Sequence, residues 1–120
     1  MNNLTGFIPM QIFNLSQIRI LTLAKNELSG NLPSRMGNGL PNLEGLYLGI
    51  NYFGGPIPDS ISNCSKLKLI EIAYNNFTGP IPHYFGDLRL LEILALNNNN
   101  LMSEYSSSNS ELSWINSLAN

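Results

Sequence analysis

Three side chains with the chemistry of a hydrolase occupy matching places in this sequence. Ser34, Asp59 and His83 each follow a proline, at Pro33, Pro58 and Pro82. If that spacing is a structural period of about 24 residues, the three stand in one column, roughly 5 Å apart from coil to coil. A Ser-His-Asp relay needs the imidazole between the other two, so that it takes the serine proton while the carboxylate orients it. Here the column order puts Asp59 in the middle, on an open convex surface without an oxyanion pocket, and the set is read as structural. Other chemistry is bounded by composition. One His and one Cys in 120 residues are too few for a zinc site of several thiolates or imidazoles, and no phosphate-binding glycine loop is present. No catalytic residue, metal ligand or cofactor is assigned. Cys64, in Asn63-Cys64-Ser65, precedes the leucine that opens a strand and is expected to be a buried structural thiol; the alternative is an unpaired cysteine that pairs between chains.

The element that must position these side chains is a repeat. Leu67, Ile70, Ile72, Asn75, Phe77, Gly79, Ile81 and Pro82 recur in type one coil earlier as Leu43, Leu46, Leu48, Asn51, Phe53, Gly55, Ile57 and Pro58. A third copy runs from Ile18 to Pro33 and partial copies lie at both ends. Asparagines at 2, 26, 51, 75 and 99 mark the period of 24 or 25 residues, which is the signature of a stacked-coil solenoid. The pattern Leu-x-x-Leu-x-Leu-x-x-Asn-x-Leu is that of the leucine-rich repeat. Its tails, Thr5-Gly6, Ser29-Gly30, Gly54-Gly55 and Thr78-Gly79, each followed by x-[Ile/Leu]-Pro, resemble the plant-specific subtype.

The expected fold is an α/β repeat: a solenoid with short parallel strands on the concave face and helical turns and loops on the convex face. Residues 1–101 form about four and a half coils, 102–110 a polar loop insertion, and 111–120 a short helix that starts a truncated further repeat. Ser108-x-x-Glu111 reads as the capping box of that helix, with Leu112, Ile115 and Leu118 on one side. One extra residue, within Gly37-Asn38-Gly39-Leu40-Pro41, is expected in a convex loop. Because strand side chains alternate, Leu46 and Leu48 point inward while Gly45, Tyr47 and Gly49 point out. The asparagines after each strand are expected to satisfy buried backbone groups. Gly30, Gly55 and Gly79 allow a conformation or close approach that a side chain would hinder, and the following prolines stiffen the turn.

Function is therefore sought on the concave face, where side chains form ordered rows. The outward positions are Ile20, Gly45, Leu69, Ile93; then Thr22, Tyr47, Glu71, Ala95; then Ala24, Gly49, Ala73, Asn97; and last Lys25, Ile50, Tyr74, Asn98. Exposed aromatics beside a few charges are what protein and peptide interfaces use. Thr22, Lys25, Tyr47, Ile50, Tyr52, Glu71 and Tyr74 are accordingly the candidate ligand-binding residues.

A net charge of -2, from six basic and eight acidic residues, offers no basic face for nucleic acid or anionic lipid. No stretch of about 18 apolar residues is present, so this segment does not insert into a membrane directly. Met1 to Gly6 lacks the basic and apolar regions of a secretion signal. The sequence starts and stops in mid-repeat, without capping repeats, and is read as a piece of a longer solenoid. Four N-x-[ST] sequons, at Asn3, Asn14, Asn63 and Asn76, lie in expected turns or convex crossings and are candidate glycosylation sites.

From residue 2 to about residue 101 the chain resembles the extracellular repeat region of plant leucine-rich-repeat receptor-like kinases. The resemblance implies a non-enzymatic recognition module on the extracellular side of the plasma membrane, in defence or developmental signalling. Its partners would be a protein or peptide ligand and a co-receptor leucine-rich-repeat protein. The kinase of such a receptor is not in this sequence, which has neither H-R-D nor D-F-G. Receptor-like proteins without a kinase and secreted polygalacturonase-inhibitor-like proteins use the same coil, and the inhibitor and an inactive receptor remnant are the alternative readings. The ligand itself is not legible, because these solenoids share a scaffold while their partners differ.

Overall fold

The computed structural model describes residues 3–102. Among the described residues are nine short strands and four 3-10 turns, with two strands between successive turns. The strands are β1 (Thr5–Gly6), β2 (Ile20–Thr22), β3 (Glu27–Asn31), β4 (Gly45–Tyr47), β5 (Tyr52–Pro56), β6 (Leu69–Glu71), β7 (Asn76–Pro80), β8 (Ile93–Ala95) and β9 (Asn100–Met102). The 3-10 turns span Met10–Asn14, Met36–Gly39, Asp59–Asn63 and His83–Asp87. The expected helix and capping box at 108–120 lie outside the described residues, as do Asn2 and most of the expected loop. Met102, assigned to that loop from sequence, instead closes β9, and its carbonyl accepts the Ile81 N–H at 2.9 Å.

Strands β2, β4, β6 and β8 form one parallel sheet in the register that the repeat demands: Ile20, Gly45, Leu69 and Ile93 align, as do Thr22, Tyr47, Glu71 and Ala95. The middle residues Leu21, Leu46, Ile70 and Leu94 turn inward and are buried. With Leu48, Ile72 and Leu96 they fill a continuous core that reaches the convex wall through Phe13, Met36, Ile61 and Phe85.

A second parallel sheet, in the order β1-β3-β5-β7-β9, flanks the first and was not anticipated. Its strands are the tails of the repeat. Leu28, Phe53 and Phe77 point inward from it, and the Phe53 and Phe77 rings stack with centroids 6.2 Å apart. Gly30 and Gly79 sit at φ +91 and +79, the left-handed region that a side chain resists. The freedom expected of these glycines is thus used inside a strand, where it bends the chain toward the convex side. Prolines then start the turns. The carbonyls of Pro9, Pro33, Pro58 and Pro82 accept the N–H three residues on, from Ile12, Met36, Ile61 and Phe85.

The asparagines form a ladder between coils. Asn51 Oδ1 accepts the Leu28 N–H at 3.0 Å and its Nδ2 donates to the carbonyls of Leu23 and Leu48. Asn75 repeats this with Phe53, Leu48 and Ile72, and Asn99 with Phe77, Ile72 and Leu96. Each rung therefore satisfies one backbone donor of the preceding coil and shares carbonyls with its neighbours, as the sequence reading required.

The extra residue falls between Met36 and Leu40: Met36 N–H donates to the Pro33 carbonyl as in the other coils, but Leu40, whose carbonyl accepts the Leu43 N–H, comes four residues after Met36 where Cys64 comes three after Ile61. The glycines of the Met36–Gly39 turn fit it between its neighbours. A Cβ on Gly37 would overlap the Ser60 carbonyl of the next coil, and one on Gly39 would overlap the Phe13 carbonyl of the coil before. Gly37 N–H donates to Ser60 Oγ at 3.0 Å and its carbonyl accepts from the Cys64 thiol at 3.7 Å.

Candidate functional site: the concave face

Four residues define one edge of the concave sheet by a shared conformation. Lys25, Ile50, Tyr74 and Asn98 have φ values of 62, 57, 59 and 59, in the left-handed region. For β-branched Ile50 this is costly, about 1–3 kcal/mol. All four coils adopt it, whatever the residue, so it is the corner of the repeat. There the chain leaves the concave sheet and the next residue, asparagine, dives under it. The four side chains project to solvent, with Ile50 and Tyr74 42% and 54% exposed.

That corner relocates one candidate. Tyr52 lies beyond it as the first residue of β5, so it belongs to the second sheet and not to the concave rows. Thr22, Tyr47 and Glu71 do stand side by side in one row, and Lys25, Ile50 and Tyr74 in the edge row. Exposed Ile20 and Ile93 bound the opposite edge.

Two glycines on this face are filled by neighbours. Tyr47 and Ile20 close over Gly45, while the Glu71 carboxylate crosses from its own coil to lie over Gly49, where a Cβ would collide with it. Glu71 Oε1 is buried there with no hydrogen-bond partner among the described residues, although the Gly49 backbone amide lies beside the carboxylate. Burial raises the Glu71 carboxyl above its ordinary range, and the Gly49 backbone amide only partly opposes this.

Nearby cations are engaged elsewhere. Arg19 Nε and Lys68 Nζ lie 3.6 and 3.8 Å from the two oxygens of Glu44, at the entry to the strands. Sequence reasoning missed this column, although Arg19, Glu44, Lys68 and Glu92 alternate in sign at the repeat spacing. As an exposed network it contributes little to stability.

Ser34, Asp59 and His83 are all exposed on the convex side, and among the described residues no hydrogen bond or ion pair joins them. Each directly follows the proline whose carbonyl accepts the N–H three residues on, from Met36, Ile61 and Phe85. An apolar pocket of about 300 Å³, lined by Phe7, Phe13, Leu32 and Phe53 among others, lies beside the second sheet, and Asp59 and His83 line a smaller one of about 230 Å³ with Tyr84.

Of the sequons, Asn14 and Asn63 end convex 3-10 turns, but Asn76 opens β7, a strand where a turn was expected. Asn63 Nδ2 donates to Asn38 Oδ1. Asn3, Asn14, Asn63 and Asn76 are all exposed.

Cys64 is fully buried in the convex wall, and burial pushes its thiol from 9.0 up to about 11. The native state therefore holds the proton over a range in which the unfolded chain releases it. Stability is complete below pH 9 and declines as pH rises from about 9 to about 11, by about 2–3 kcal/mol from this group. The buried Tyr84 hydroxyl, which donates to the Pro58 carbonyl and is also raised chiefly by burial, acts in the same sense. Urea unfolding midpoints across that interval are the measurement. Cys64→Ala should flatten part of the slope, and an unchanged slope in the variant rules out the thiol as its source.

Three-residue parallel strands, an asparagine ladder, convex 3-10 turns and a second sheet built on glycine-bearing tails together define a leucine-rich-repeat solenoid. Residues 42–64 and 66–88 match the family model described as Leucine Rich Repeat. The chain is built of leucine-rich repeats homologous to those of plant receptor-like proteins and receptor kinases. It is 41% identical over 100 residues to Receptor-like protein 32 of Arabidopsis thaliana, covering 83% of this chain and 11% of that protein. With Receptor-like protein EIX1 of Solanum lycopersicum it shares 35% over 97 residues, 81% of this chain and 9% of that protein. The chain thus spans about a tenth of the length of these relatives. Among solved structures, it matches the Arabidopsis receptor kinase HAESA, in complex with the peptide hormone IDA and the co-receptor SERK1. The TM-score is 0.81 and the identity 34%, over 84% of this chain and 17% of that one.

Proposed function

We propose that the chain is a non-enzymatic recognition module of a plant cell-surface receptor, displayed on the extracellular side and binding a protein or peptide across its concave face. A co-receptor leucine-rich-repeat protein is a second partner, and the signalling role lies in defence or development. The observation that carries this reading is the register of the concave sheet. Thr22, Tyr47 and Glu71 align in one row, and only the small residues Ala24, Gly49 and Ala73 separate it from the exposed row of Lys25, Ile50 and Tyr74, so that an extended ligand would meet apolar, aromatic and charged groups at regular intervals. The likeness to a receptor kinase solved with a peptide hormone supports it. Among the described residues no helix is long and apolar enough to cross a membrane. On the extracellular side Asn3, Asn14, Asn63 and Asn76 are the glycan acceptors, with Asn63 first having to release Asn38.

The test is capture of a displayed library of random linear peptides by the wild-type chain and by the Tyr47→Ala/Tyr74→Ala double variant. Aromatic anchors at an interface centre contribute about 2 kcal/mol or more each, so the variant should retain at most about a tenth of the captured peptides. Its melt should stay close to wild type, because Tyr74 is exposed and Tyr47 half-buried. Equal capture by both chains discards the concave face as the binding surface.

A further inference from the structure

Building on the recognition reading above, we propose that Glu71 is the anchor for a cationic side chain, a guanidinium or ammonium group, of an extended peptide bound across the concave face.

The argument starts from an unmatched carboxylate. Glu71 is laid flat over Gly49, a posture possible only because that residue has no Cβ. One of its oxygens, Oε1, is withdrawn from solvent without a donor among the described residues. Buried polar atoms are normally hydrogen-bonded, and leaving a charged acceptor unpaired costs free energy that a partner's donor would recover. Among the described residues no side chain of the face supplies that donor, and the Gly49 backbone amide beside the carboxylate leaves Oε1 unbonded. The residues aligned with Glu71 across the sheet are Tyr47 and Ala95, and its neighbours in the next row are Gly49 and Ala73. Arg19 and Lys68 are paired with Glu44 at the strand entry, and Lys25 stands at the corner of a coil two removed from Glu71.

The surroundings favour a cation with an apolar stem. Ile20, Leu69, Ile93 and Tyr47 on the same sheet are uncharged, so a carboxylate among them attracts a positive group more strongly than one in open water. The long methylene stem of arginine or lysine packs on such a surface while its head reaches the charge. Arginine is the better fit, because its fork can serve both carboxylate oxygens at once. Charge complementarity thus selects a basic peptide over an acidic or neutral one.

The experiment uses peptides captured from the random library by the wild-type chain, re-synthesised with their arginine intact or replaced by neutral citrulline, and measured by titration calorimetry. The expected result is that captured peptides share a basic residue. Either Glu71→Gln or the citrulline replacement should weaken binding about tenfold or more, and the two together should cost little beyond either alone. The isosteric Glu71→Gln chain should melt no lower than wild type. Asp87→Asn, which removes an exposed convex carboxylate, should leave affinity unchanged; an equal loss there would mean bulk charge and overturn the anchor. Peptides that depend on Tyr47 and Tyr74 but carry no basic preference and ignore Glu71→Gln overturn this inference while the recognition reading stands. Capture that ignores Tyr47 and Tyr74 overturns both.

Discussion

Asn75→Ala should lower the unfolding free energy by about 2–4 kcal/mol, read as a shift of the urea midpoint at constant slope. The cost follows from which groups lose their only partner. Asn75 Oδ1 accepts the Phe53 N–H at 3.0 Å, and with the amide gone this buried donor has none. An orphaned donor costs about 1–3 kcal/mol, and the lost bonds from Nδ2 add about 1 more. The carbonyls that Nδ2 touched are better insured. Leu48 O keeps Asn51 Nδ2 at 3.1 Å, Ile72 O keeps Asn99 Nδ2 at 3.0 Å, and Ala73 O keeps the Ile50 N–H at 2.9 Å. Sharing of this kind predicts non-additivity. Adding Asn51→Ala removes the second donor to Leu48 O, so the double variant should lose about 1–2 kcal/mol more than the two single losses summed. Since a domain of this size is typically held by about 5–15 kcal/mol, the double variant should be largely unfolded. Additive losses would show that the rungs act independently; a single-variant loss under about 0.5 kcal/mol would show that water replaces the amide.

Much of this could be seen in the sequence because it depends on residues at fixed offsets within one coil. The period, the inward leucines, the asparagine rungs and the permissive glycines are all of that kind. The second sheet was missed because its strands do not look like strands. Glu27-Leu28-Ser29-Gly30-Asn31 breaks alternation with a glycine at φ +91, and only pairing with the neighbouring coils makes it extended structure. Tyr52 was misplaced for a related reason. Tyr47, Ile50 and Tyr52 sit close together in sequence, but the left-handed corner at Ile50 and the buried Asn51 separate them onto two sheets. The unpaired Glu71 oxygen depends on a side chain leaning onto Gly49 of the preceding coil, a relation between coils that a residue-by-residue reading does not contain. The charge column at Arg19, Glu44 and Lys68 was legible and went unread, because charges at strand entries were not compared across repeats.

Gly37→Ala should destabilise by about 3–5 kcal/mol, more than a single added methyl usually costs, because what it meets cannot move aside. Gly37 has an ordinary backbone conformation, so the requirement is space. Its Cβ would enter the Ser60 carbonyl, which is backbone at the heart of the next 3-10 turn. To admit it, the Met36–Gly39 and Asp59–Asn63 turns must separate, breaking the Gly37 N–H to Ser60 Oγ bond and drawing the Gly37 carbonyl away from the Cys64 thiol. Gly54→Ala is the matched control: the nearest atom to its added Cβ is the Asn76 carbonyl at 3.6 Å, and its φ is not in the left-handed region. That substitution should be neutral or stabilising by about 0.5 kcal/mol through the unfolded chain. Cys64 itself reports the difference. In wild type and Gly54→Ala the buried thiol should react with a maleimide only as fast as the chain unfolds, whereas in Gly37→Ala the parted turns should expose it to the reagent without global unfolding. Slow labelling of Gly37→Ala together with a wild-type melt would mean that the convex turns tolerate separation at this position, and that the glycine is there for some reason other than close packing.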